Sequence, residues 1–168
     1  MNISKTTVFL AIMTSFSLLL YFVELMLPKP MPFMKLGLSN IIIVVMVMSS
    51  FYREAILVAI LKSLIGGFLS GIIFSPTILL SFSGSIMSCL IMIFFCKYVK
   101  SLSVSGISVS GAFFHLMTQL VVVRILIIKT DQVFKLYPFL VLCAVLTGLI
   151  TGILSKLFMK HIDLKRLI

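Results

Sequence analysis

Charged side chains are scarce in this sequence: they make up 11% of its 168 residues, and only 4 of those residues are acidic. Soluble domains carry roughly 25% charged and about 45–50% apolar residues. Here 61% of the residues are hydrophobic and the mean hydropathy is +1.31, more than a soluble core can enclose. The composition therefore excludes an ordinary soluble domain and predicts an integral protein of the lipid bilayer.

Motifs for nucleotides and metals are missing as well. The sequence has no glycine-rich nucleotide-binding loop, so any energy from ATP must come from another chain. Cys89, Cys96 and Cys143 form no CxxC pair and have no His or acidic cluster nearby. We therefore expect no disulfide, no metal site and no cofactor. The net charge of +10 falls mostly between or after apolar runs, which favours membrane topology and lipid headgroups over nucleic acid.

Long apolar runs fill the rest of the chain. They are continuous and too long for the alternating strands of about 10 residues in a membrane barrel. A spanning helix needs about 20 apolar residues and satisfies its own backbone hydrogen bonds. We predict a single all-α domain over residues 1–168, an integral six-helix transmembrane bundle. The predicted spans are approximately 6–27, 36–51, 55–74, 77–96, 106–128 and 137–158.

The charge distribution predicts the orientation. The first run has no small-residue cleavage site before Pro28, so we interpret it as a retained span and not a signal peptide. Six spans place both termini on one side, and the positive-inside rule favours the cytoplasm of a cell membrane. The inner segments would hold Lys5, Arg53, Lys97, Lys100, Lys156, Lys160, Lys165 and Arg166, and the outer segments Lys29, Lys35, Lys129 and Lys135.

Polar residues inside the spans are the candidate ligand site, because a charge at the bilayer centre costs at least about 2.5 kcal/mol. Lys62 is predicted roughly 12 Å deep, at 1.5 Å per residue, and either snorkels or faces a cavity. His115 reaches a similar depth, and Gln119 is one turn further on the same face. The alternative for His115 and Gln119 is an interhelical hydrogen bond that only packs helices.

Four further candidates map near the outer surface and complete an outward-facing pocket: Glu24, Lys35, Asn40 and Arg124. Glu24 either contacts ligand or pairs with Arg124, Lys35 or Lys29. Arg124 either contributes to the mouth of the pocket or snorkels outward, and Asn40 is otherwise a packing amide. The summed charge of the pocket is positive, which favours an anionic ligand.

Small residues form a second pattern. Gly67 with Gly71, and Gly148 with Gly152, are GxxxG pairs. Such pairs permit close approach of two helices, either within the chain or to a partner.

Several segments, in order along nearly the whole chain, resemble the family called heptaprenyl diphosphate synthase component I, or Gx transporter. Lys35–Ile41 is similar to its KLGLAN-type signature. One position departs from the family: Leu116 directly follows His115, where the family often has Asn. The other matching elements are Phe51–Ala55, a basic residue at Lys62, Gly66-Gly67, Ser75-Pro76, and the Gly111, His115 and Gln119 pattern.

The resemblance implies a substrate-binding S-component of an energy-coupling factor (ECF) importer. Such a six-helix protein captures a small molecule from outside, then associates with a membrane coupling subunit and two cytoplasmic ATPases. Ala11 and Ser15, four residues apart, are similar to the AxxxA docking surface of S-components. The expected cargo is small, partly apolar and anionic.

The enzyme in the family name is not expected as the activity of this chain. A prenyl diphosphate synthase needs aspartate-rich motifs for Mg²⁺ and diphosphate, whereas Asp131 and Asp163 lie far apart. The alternative function is a non-catalytic scaffold subunit of an isoprenoid, quinone-synthesis or extracytoplasmic redox assembly. A third hypothesis, a stand-alone channel or carrier, has no acidic proton relay to support it.

Overall fold

A computed structural model describes residues 3–27, 37–71, 75–162 and 164. The described residues form six α-helices and no strand. They are α1 (Ile3–Met26), α2 (Asn40–Met48), α3 (Tyr52–Leu69), α4 (Pro76–Tyr98), α5 (Val104–Val123) and α6 (Tyr137–His161). A π-helical turn, Arg124–Ile128, continues α5, and a 3₁₀ turn, Asp131–Leu136, leads into α6.

Local sequence sets several helix ends. Ser75 caps α4, accepting a hydrogen bond from the Thr77 amide, and Pro76 occupies the first turn, where its missing N–H costs nothing. Ser103 caps α5 in the same way by accepting from the Gly106 amide. Both boundaries lie within two residues of those predicted, so the apolar runs and their flanking serines locate these helices well.

Four helical segments are long and apolar enough to cross a membrane: Lys5–Met26, Pro76–Tyr98, Val104–Ile128 and Asp131–His161. Their outward faces carry large exposed apolar side chains, such as Leu19, Phe94 and Leu149. This pattern is expected where lipid replaces water. The protein is therefore an all-helical membrane protein, in agreement with the sequence-based fold class at that level.

The second predicted span needs correction. The run over 36–51 contains a helix of only nine residues, about 14 Å long and too short to cross a bilayer of roughly 30 Å. Helix α2 packs against all five other α-helices, and Ile43, Met46 and Val47 have no exposed surface. The run is apolar because it forms the centre of the protein, and not because it faces lipid.

Helix α2 occupies only one half of the membrane thickness. Near its start, the Ser39 carbonyl accepts a hydrogen bond from Ser17 Oγ at 2.9 Å, near the middle of α1. The Phe51 ring, just beyond the end of α2, contacts the Phe9 ring, and their centroids are 5.2 Å apart. Phe9 lies in the N-terminal part of α1. The non-helical residues Gly37–Ser39 therefore lie level with the middle of α1, at membrane depth.

Candidate functional site

Lys62 lies at the centre of a buried polar cluster. It occupies the core face of α3 and is only 4% exposed. Its Nζ donates hydrogen bonds to Ser39 Oγ at 3.1 Å and to Asn40 Oδ1. The ammonium is therefore held inside the bundle by the start of α2 and does not snorkel to the headgroups.

His115 and Gln119 share one face of α5, as their spacing predicts. Gln119 Nε2 donates to the Leu80 carbonyl at 3.5 Å and lies 3.1 Å from His115 Nε2. An amide nitrogen can only donate, so His115 Nε2 accepts and the proton of the neutral ring is on Nδ1. Gly84 makes room for the ring, since a Cβ there would lie 3.0 Å from His115 Cε1.

Two small polar cavities connect these groups. The first, about 20 Å³, is lined by Gly37, Asn40, Ser88, His115 and Leu116 among others. The second, about 10 Å³, includes Lys62 in its wall and shares Gly37, Asn40 and His115 with the first. Cavities of this size hold a water molecule or two. Lys62, Asn40 and His115 thus line connected polar spaces although they come from three different helices, and Gln119 joins them through its contact with His115.

Glu24 lies beside this centre. Its Oε1 accepts a hydrogen bond from the Gly37 amide at 2.9 Å, and the side chain is 1% exposed. Gly37 has a φ of +80°, a left-handed conformation that suits glycine. Glu24 therefore fixes the non-helical segment that lines both polar cavities.

Arg124 lies outside this cluster. Its guanidinium binds Asp131 Oδ1, with Nη2 at 2.9 Å, and both side chains are substantially exposed. The pairing with Glu24 that the sequence allowed is not formed. Lys35 and Lys29 lie outside the described residues.

Ala11 and Ser15 are both exposed on α1. Together with Ile12, Phe16 and Leu19 they line an open groove of about 380 Å³ on the outer face of the bundle. Small residues flanked by large ones give this face a concave shape that could receive another helix.

Several hydroxyls of the site were not predicted. Ser81, Ser85 and Ser88 recur at helical spacing on α4, and all three are buried. Ser88 Oγ makes no hydrogen bond with any described residue, although it lines the first polar cavity. The spacing of these serines was the available signal. Among the described ranges, no three His, Cys, Asp or Glu residues are grouped closely enough to hold a metal ion.

Comparison with known proteins identifies one family. Residues 13–158 match the family model described as heptaprenyl diphosphate synthase component I. No curated protein and no solved structure matches the chain at a significant level.

Proposed function

The chain belongs to the heptaprenyl diphosphate synthase component I family, and from this premise we propose that it is the substrate-capturing membrane subunit of an ECF-type importer. The observation that carries the proposal is Lys62, a buried cation inside a membrane protein, which bonds to Ser39 and Asn40 and lines the second polar cavity. Intramembrane ionisable residues are costly and usually mark a substrate or ion site.

The non-helical segment Gly37–Ser39 supports a binding role. Irregular backbone at membrane depth is tolerated where it is buried in protein or lines a cavity. Gly37–Ser39 lies inside the protein and lines the second polar cavity, directly before the first turn of α2. Interrupted helices near the bilayer midplane form substrate sites in many transporters.

The chemistry of the site favours a small ligand with hydrogen-bond acceptors, preferably an anion. Lys62 supplies a positive charge, and Asn40, Ser88 and His115 supply short-range polar contacts. The two polar cavities have room for water only, so capture of a larger molecule requires their walls to separate.

The groove at Ala11 and Ser15 would receive the coupling subunit, which in turn carries two ATPases.

Basic residues lie at the starts of α1 and α3, at the end of α4 and the connection that follows it, and at the end of α6. They favour a cytoplasmic location for that side of the membrane. The described residues that support this orientation are Lys5, Arg53, Lys97, Lys100, Lys156 and Lys160.

Co-purification from the native membrane tests the importer function. We expect the tagged protein to recover a coupling subunit, two ATPases and an enriched anionic metabolite, identified by mass spectrometry. Lys62→Ala and His115→Ala should remain folded and lose the metabolite, while Lys97→Ala, distant from the cavities, should retain it. Ala11→Trp should lose the partner proteins and keep the metabolite. Normal metabolite binding by both site variants would contradict the assigned site.

A scaffold subunit is the second candidate, favoured by the family description itself, which names a synthase component. In that case Lys62, His115 and Gln119 serve only to pack the helices. Recovery of a prenyl synthase or redox enzyme, with neither ATPases nor a small molecule, would support the scaffold over the importer.

A further inference from the structure

We propose that the site takes an amphipathic ligand in two parts: a polar head beside Lys62, Asn40 and His115, and a compact apolar group of about benzene size beside Gln119. This inference rests on the ligand-capture function proposed above and specifies the ligand class. A fully polar solute would leave the apolar cavity empty.

The apolar part of the site is a separate cavity of about 130 Å³. Among the described residues that line it, Gln119 is the only polar one. A cavity of about 150 Å³ with apolar walls can bind benzene, so this one fits a group of roughly five or six carbons. Its walls are Leu80, Leu116, Gln119, Leu120, Val123, Ile127, Ile128, Val133, Leu136 and Leu140.

The apolar and polar cavities are separated by one layer of side chains. Leu116 lines both the apolar cavity and the first polar cavity. Gln119 lines the apolar cavity and contacts His115, which lines both polar cavities. Movement of Leu116 and Gln119 would join the apolar cavity to the first polar cavity. Separation of Asn40 and His115, which line both polar cavities, would extend this space to Lys62, so that one molecule could reach from Lys62 to the apolar walls.

The position of the apolar cavity favours a ligand over a lipid acyl chain. Its wall includes Gln119, which contacts His115 of the polar site, and a hydrocarbon chain has no polar group to bind there. Its rim includes Ile127 and Ile128, about half exposed in the turn that follows α5. An amphipathic molecule entering there could bury its apolar group and still satisfy the polar groups beyond.

Three small probes test this arrangement on the purified full-length protein: benzyl phosphate, inorganic phosphate and benzyl alcohol. Benzyl phosphate should raise the melting temperature most, because it alone supplies both parts. Val123→Phe, which fills the apolar cavity, should weaken benzyl phosphate binding by about tenfold and leave phosphate binding unchanged. Val122→Phe, the same change at a neighbouring residue that does not line the cavity, should keep affinity within about twofold of the wild type.

The outcomes separate this inference from the function on which it rests. Equal binding of benzyl phosphate and phosphate, with no effect of Val123→Phe, would overturn the two-part site and leave anion capture intact. If neither benzyl phosphate nor inorganic phosphate raised the melting temperature, both the two-part site and the proposed anion capture would be contradicted. Repetition in phospholipid nanodiscs distinguishes a lipid site: if excess acyl chains abolish the advantage of benzyl phosphate, the cavity belongs to lipid and the inference is wrong.

Discussion

Lys62 illustrates how single residues determine this site. A lysine at the bilayer centre costs about 2.5–3.5 kcal/mol on insertion scales. The hydrogen bonds to Ser39 Oγ and Asn40 Oδ1 offset part of that cost. Ser39 directly precedes α2 and Asn40 is its first residue, so the start of this helix supplies both acceptors.

Glu24 gives a prediction at the residue scale. Glu24→Ala removes the acceptor of the Gly37 amide, and we expect a loss of about 1–3 kcal/mol, since the amide is left without its partner. Glu24→Gln keeps an oxygen at the same place and should lose less. Thermal melting in detergent compares the two. Equal melting temperatures for Ala and Gln variants would show that the hydrogen bond does not stabilise the segment.

Gly84 gives a second residue-scale prediction. In Gly84→Ala the new methyl group would lie about 3.0 Å from the His115 ring, which must shift and loosen its contact with Gln119. We expect benzyl phosphate affinity to fall by about tenfold, equivalent to about 1.4 kcal/mol. Ser83→Ala, the preceding position on α4, is the control and should bind normally. Unchanged binding by Gly84→Ala would mean that the ring position does not matter for the ligand.

Helix α2 shows what operates at the scale of elements. Its sequence is as apolar as that of a membrane span, yet all nine residues except the last are buried by neighbouring helices. Because protein surrounds it, the helix can stop halfway and leave non-helical backbone at membrane depth. Two residues of that non-helical segment, Gly37 and Ser39, line the polar cavities.

The two GxxxG pairs give a prediction about helix packing. A Cβ at Gly148 would lie 2.5 Å from Val109 Cα on α5, and backbone cannot move aside without separating α5 from α6. A Cβ at Gly67 would meet Ile78 Cδ1 at 2.6 Å, the mobile end of a side chain. Gly148→Ala should therefore cost about 1–3 kcal/mol and Gly67→Ala clearly less. Denaturant unfolding in micelles measures both, and a larger loss for Gly67→Ala would contradict this explanation.

Topology is the prediction at the scale of the whole molecule. We propose that the start of α1 and the end of α6, which carry Lys5 and Lys160, both lie on the cytoplasmic side. We expect Lys129→Cys to react with a membrane-impermeant maleimide on intact cells, and Lys100→Cys only after permeabilisation. The unsubstituted protein supplies the background of the native thiols. The opposite pattern would reverse the proposed orientation.

The membrane class and the helical fold could be predicted from the sequence, because both depend on the composition and length of continuous apolar runs. The shared face of His115 and Gln119 also followed from helical spacing. Only the tertiary structure decided that the 36–51 run is central, that Arg124 pairs with Asp131, and that Ser39 and Asn40 contact Lys62. Residues that face lipid and residues that face protein are equally hydrophobic, so the sequence does not tell a central helix from a lipid-facing one. Contacts between helices that are distant in the sequence leave no periodic pattern from which they could be predicted. The physical partners of each polar group were therefore fixed only by packing.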